Sequence, residues 1–137
     1  MLITHHDLEI ELDGDWLVAA EMSGFMPASK AYRTSKSLSE NATIWEICIG
    51  DIGPVHRNVG VFRDSPDGIP AGERVIKILR GFRSGDALPP VKVVENRPGS
   101  AHRYKLTDGT HRLYCSIAVG FTHIPAIKGF DWDSPDQ

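Results

Sequence analysis

Lysine and arginine are missing from the first 29 residues, which carry six acids: Asp7, Glu9, Glu11, Asp13, Asp15 and Glu21. A secretory leader opens on positive charge and continues as an apolar core. Met1 to Asp15 has neither, so no leader is expected and the protein is expected in the cytoplasm. Cysteine is scarce. Cys48 and Cys115 sit within apolar stretches without a CxxC spacing, so both are expected to be buried free thiols, as suits a reducing compartment. No apolar run approaches the roughly 20 residues of a membrane-spanning helix. The six histidines form no HxxxH pair and no calcium loop is present, so no resident metal is expected. His5 and His6 are adjacent, and their side chains are expected to point in different directions. Internal repeats and low-complexity tracts are also missing.

What remains is an ordinary globular composition, 41% hydrophobic and 24% charged over 137 residues, enough for one domain with its own core. The net charge of −3 is unevenly placed. Residues 1–29 sum to −6, and residues 71–112, with nine basic side chains and four acids, sum to +5. The last seven residues add −3. An acidic chain is a poor non-specific nucleic-acid binder, because phosphate contacts dominate that affinity. The basic block leaves room for a local anion site. Its helical residues taken alone read as a solvated face.

Leu8, Ile10 and Leu12 alternate with Glu9 and Glu11 as in a half-buried strand, and Asp13-Gly14-Asp15 turns the chain. Trp16 to Ser23 favours a short helix capped by Asp15 and stopped by Gly24, with a hairpin strand as the alternative. Ala28 to Thr43 reads as loop, Ile44 to Ile49 as a strand, and the Pro/Gly-rich stretch to Gly72 as a long loop. Ala71 to Arg83 is the clearest helix: Val75, Ile78, Leu79 and Phe82 share one face, and Gly85 and Pro89-Pro90 stop it. Val91 to Glu95 and Arg103 to Thr107 are expected strands. A helix to about Gly120 comes next, then a last strand from Ile124 to Lys128 and a loose tail from Phe130. Trp16, Trp45 and Trp132 read as packing residues.

The densest chemistry lies in Leu106-Thr107-Asp108-Gly109-Thr110-His111-Arg112-Leu113, a strand end, a glycine turn and a helix start. Helix starts leave backbone N–H groups outside the hydrogen-bond ladder and direct the positive end of the peptide dipoles outward, which suits an anion. Arg112 is the natural phosphate partner through paired donors, with a salt bridge to Asp51 or Glu73 as the structural alternative. Asp108 reads as an N-cap, a catalytic group, or both. His111 divides evenly between a structural role and ligand contact or acid–base work. Gly109 serves an unusual backbone angle. His56 and Arg57 read as solvated loop residues unless their loop folds over the turn. Glu73 reads as a cap for its helix or as a base facing the site.

These residues resemble the ParB/sulfiredoxin superfamily. The similarity runs through Leu88–Val94, Tyr104–Leu113 and Ala118–Ile127, and Ile52–Gly60 is similar to the segment before the first helix of ParB-like nuclease domains. It spans about residues 44 to 128; residues 1–43 match no pattern. The resemblance implies an α/β (α+β) fold, a small mixed sheet with a few helices, in which the Gly-x-His-Arg turn holds the phosphates of a nucleotide. Gly109, Thr110, His111 and Arg112 inherit that contact. The expected layout is an acidic extension over 1–43 packed on or flanking the domain, the domain itself over 44–130, and a tail over 131–137.

Members of the superfamily differ widely in activity, so fold does not fix function. Where sulfiredoxin places its nucleophilic cysteine before His-Arg, this chain has Thr110, and a hydroxyl cannot replace thiolate redox chemistry. The partitioning proteins carry a Gly-Glu-Arg-Arg turn and a following DNA-binding domain, and such a role is not expected here. The nuclease group often has Pro-Thr-Gln where this chain reads Pro54-Val55-His56.

Three functions fit these features. The first is binding of a nucleotide or other phosphorylated small molecule at Asp108–Arg112. Phosphoryl transfer or phosphodiester cleavage by Asp108, His111 or Glu73 is an added option, with magnesium arriving on the nucleotide. The second is a non-catalytic module that engages a protein partner through the acidic N-terminal region. The third, ranked last, is a nucleic-acid binder using Arg74, Lys77, Arg80 and Arg83.

Overall fold

The acidic first residues fold back on themselves. In the computed structural model, which describes residues 1–35, 43–55 and 71–129, β1 (Leu2–His5) and β2 (Leu8–Glu11) form an antiparallel hairpin. Ile3, His5 and Ile10 face inward, while Leu2, Thr4, Glu9 and Glu11 face solvent. His6 turns the hairpin with φ of 56°, a left-handed conformation uncommon outside glycine. That twist overturns the expected divergence of His5 and His6, whose ring centroids lie 4.4 Å apart.

Helix α1 (Gly14–Ala19) comes next, capped by Asp13, whose carboxylate accepts from the Asp15 amide at 2.9 Å. The cap is therefore two residues before the expected Asp15. Its end also comes early, because Glu21 turns left-handed at φ 58° before Gly24 is reached. Trp16 packs on the start of α2 (Ala71–Ser84), where a Cβ at Gly72 would lie 2.6 Å from the Trp16 indole nitrogen. In α2, Val75, Leu79 and Phe82 are buried and Ile78 packs against the core, as the periodicity requires. Gly85 at φ 72° closes the helix: its N–H reaches Phe82 O and that of Asp86 reaches Gly81 O, a Schellman end.

The main sheet has strand order β3-β6-β4-β5, with β3 Trp45–Cys48, β4 Val91–Glu95, β5 Tyr104–Asp108 and β6 His123–Gly129. β3 pairs antiparallel with β6 and β4 antiparallel with β5, whereas β4 and β6 run parallel, joined through β5 and helix α3 (Thr110–Val119). The fold is thus a mixed α+β arrangement, a small mixed sheet with three helices among the described residues. Ile3, Ile10, Leu12, Met22 and Tyr32 from the N-terminal region enter the same core as Val75, Leu79, Val91, Leu113 and Ile124. The N-terminal residues are packed into the domain.

Two burial expectations fail at the edge strand β3. Cys48 is exposed rather than buried, whereas Cys115 is buried. Trp45 is 47% exposed, with the Lys128 ammonium 4.2 Å from its ring centroid. Glu46 and Cys48 point to the uncovered face of this edge strand, whereas Trp45 shares the face of the buried Ile47, opposite Ala126, and is covered in part by Lys128. No described helix is long and apolar enough to cross a membrane. Phe130, Trp132 and the tail over 131–137 lie outside the described residues.

Candidate anion site at the start of helix α3

The pairing of β4 with β5 slips near its end, from Val93 opposite Leu106 to Lys92 opposite Asp108. Thr107 is the extra residue of this bulge, and its hydroxyl donates to Lys92 O at 3.2 Å. Such bulges bend a strand and redirect the chain beyond it. Here the bend leads into Gly109 at φ 105°. A Cβ at that position would lie 2.5 Å from Val91 Cγ1 and 3.3 Å from Val91 Cα. Glycine is required there twice, for the backbone angle and for the close approach to β4.

Gly109 is the N-cap of α3, and no side chain caps the helix. This overturns the expectation that Asp108 caps it. The glycine occupies the cap position, and Asp108 stays in the strand opposite Lys92. The first helical bond runs from Leu113 N–H to Gly109 O at 2.9 Å, so the amides of Thr110, His111 and Arg112 lie outside the helix's own ladder. Thr110 and His111 are half-buried beside them.

Arg112 is engaged differently from the forked phosphate contact expected of it. Its Nη1 donates to Pro89 O at 2.8 Å and to Pro90 O at 3.1 Å, and its Nη2 lies 3.6 Å from Asp108 Oδ2. The side chain is only 17% exposed, against 60% for Asp108. The cause lies in the Pro89-Pro90 pair, which lacks N–H donors and cannot fasten itself by a two-way ladder. Side chains hold it instead: the Tyr32 hydroxyl also donates to Pro89 O, at 2.6 Å. Burial pushes the Tyr32 phenol well above its usual range, against the opposing pull of the Arg112 charge, so it stays a donor. Ser35 N–H and the Thr34 hydroxyl both reach Leu88 O, and Leu88 N–H reaches Arg33 O. Arg112 thus fastens α3 to the segment that leads into β4.

Of the other candidates, Glu73 alone lies among the described residues. Glu73 is exposed in the first turn of α2, the end of the helix that meets Trp16. His56 and Arg57 lie outside the described residues. Cys115 points into the core, where burial pushes its thiol up to about 12, so it stays protonated and unreactive at neutral pH. Among the described residues no group of three or more His, Cys, Asp or Glu side chains is placed to hold a metal ion. The Pro89 and Pro90 carbonyls that hold Arg112 carry no side-chain signature, which is why the sequence could not announce them.

Comparison of the chain with family models, with curated proteins and with solved structures gives no match.

Proposed function

We propose that this protein binds a nucleotide or other phosphorylated small molecule at the start of α3. The observation that carries the reading is a ten-residue helix that begins without a side-chain cap, directly beside a guanidinium. The amides of Thr110 to Arg112 and the side chains of Thr110 and His111 are the contacts. Arg112, held by carbonyls, lends fixed positive charge rather than two free donors. The assignment extends to Gly109, Thr110, His111 and Arg112 the role that the Gly-x-His-Arg turn implies by its resemblance to the ParB/sulfiredoxin superfamily.

Magnitudes bound what this site can hold. A helix terminus contributes about 0.3–1 kcal/mol to a nearby anion, and up to ~2 kcal/mol when partly buried. A 1 mM dissociation constant corresponds to about 4.1 kcal/mol. Asp108 offsets part of the Arg112 charge. Inorganic phosphate alone is therefore held weakly, and a nucleotide draws the rest of its affinity from base, sugar and any magnesium it carries. Phosphoryl transfer or phosphodiester cleavage would need Asp108 or His111 to take the nucleophile's proton.

The test is thermal shift against nucleoside mono-, di- and triphosphates, with and without magnesium. A ligand at about ten times its dissociation constant stabilises by ~1.4 kcal/mol, which for a chain of this length is a rise of roughly 4–6 °C. A phosphate-release assay on the same panel reads any turnover. No stabilisation by any nucleotide, together with a protein partner recovered by co-purification, would replace this reading with the acidic N-terminal surface as a docking module.

A further inference from the structure

Three histidines from two distant segments meet at the hairpin. His5 ends β1 and His6 turns the chain, while His102 stands just before β5. The His6 ring lies 4.4 Å from that of His5 and 4.2 Å from that of His102, so the three imidazoles form a file. A third segment supports it: His6 Nε2 donates to Ile52 O at 2.7 Å, and Gly53 sits against the His102 ring, 3.2 Å from Cδ2 to a notional Cβ. A side chain at 53 would press the ring aside by a few tenths of an ångström.

The middle ring of the file is the one nearest water. His6 is exposed, His102 half-buried, and His5 only 4% exposed. His5 Nε2 is buried without a hydrogen-bond partner. From α3, Tyr114 faces His5 edge-on at 6.4 Å. From the turn and from the connection before β5, the ionisable groups acting on His5 are His6 and His102, and hydrogen bonding to the Ile52 and Gly53 backbone opposes them without reversing the direction. Among the described residues no carboxylate forms an ion pair with any of the three. A proton arriving at the buried His5 therefore places positive charge beside two imidazoles with no carboxylate acting on it. Burial, then the neighbouring His6, hold His5 below its ordinary range, so the closed arrangement resists protonation.

We propose that the His5–His6–His102 file is a pH-operated latch holding the β1–β2 hairpin on the body of the domain, closed while the buried His5 is neutral and released in mild acid. The sign comes from proton binding. The released hairpin exposes His5 at the ordinary histidine value near 6.5, above its value in the closed state, so release takes up protons. The closed form is fully favoured above that value and loses ground as pH falls. Release would uncover Ile3 and Ile10, along with the face of α3 that carries Tyr114.

The test is hydrogen exchange of residues 1–12 in the intact chain at pH 7.5 and 5.5, corrected for intrinsic rates, with residues 75–82 of α2 as internal reference. Opening of the hairpin is expected to rise on the order of tenfold in acid while α2 keeps its protection. His5→Phe, which keeps a ring against His6 and Tyr114 but takes no proton, is expected to flatten the pH dependence. Three results would each overturn the latch: unchanged corrected exchange in 1–12, loss of protection in α2 in step with the hairpin, or an equal pH slope in a folded His5→Phe protein. Should that variant not fold, the two wild-type comparisons decide the question.

Discussion

Helix α3 meets two polar clusters, and they are built on opposite principles. At its first turn Arg112 is anchored, with two proline carbonyls accepting from Nη1 and a carboxylate 3.6 Å from Nη2, around a side chain only 17% exposed. Further along the helix, Tyr114 faces a histidine whose buried Nε2 has no hydrogen-bond partner. A fully satisfied buried network fixes geometry, whereas an unsatisfied titratable group makes its surroundings depend on solution conditions. The first cluster is a clamp at the proposed anion site, and the second is the seat of the proposed pH response.

The comparison can be broken at its most constrained point first. Gly109→Ala combines a left-handed backbone angle, which costs a non-glycine residue about 1–2 kcal/mol, with a Cβ that would lie 2.5 Å from Val91 Cγ1. A loss of ~3 kcal/mol or more in chemical denaturation is expected; a variant as stable as the parent would mean that the strand-to-helix turn is not as described. Arg112→Ala comes next. It leaves the Pro89 carbonyl to Tyr32 alone and strips Pro90 of its side-chain donor, for an expected loss of about 2–3 kcal/mol. Were Arg112 a ligand contact without structural duty, the melting temperature would hardly move. The smallest effect sharpens the comparison. Asp108→Asn removes only an exposed, 3.6 Å ion pair, so stability should change by less than ~0.5 kcal/mol. Removing its negative charge should tighten phosphate binding, whereas a required general base would show unchanged affinity with lost turnover.

Most of the framework was legible because its periodicities were clean. The buried face of α2, the strand Val91–Glu95, and the glycines that open and close α3 come directly from apolar spacing and turn chemistry. Strand β1 was not legible. Its second inward position is His5, so the apolar alternation fails after Ile3. At the site the glycine turn and the helix start were visible, but the duties of its side chains were not. Asp108 looks like a cap, yet Gly109 in the left-handed region takes that position. Arg112 looks like an anion ligand because its actual acceptors are main-chain carbonyls, which every residue carries and no pattern marks. Side-chain periodicity reports burial; it does not report where a long cation finds a carbonyl.

The helix-start site is tested most directly by an amide NMR titration of the labelled protein with a nucleoside diphosphate. The account predicts saturable shifts in the amides of Thr110, His111 and Arg112, while those of the β1–β2 hairpin stay in place. Shifts that gather elsewhere, or none at the first turn of α3 at saturating nucleotide, would contradict it.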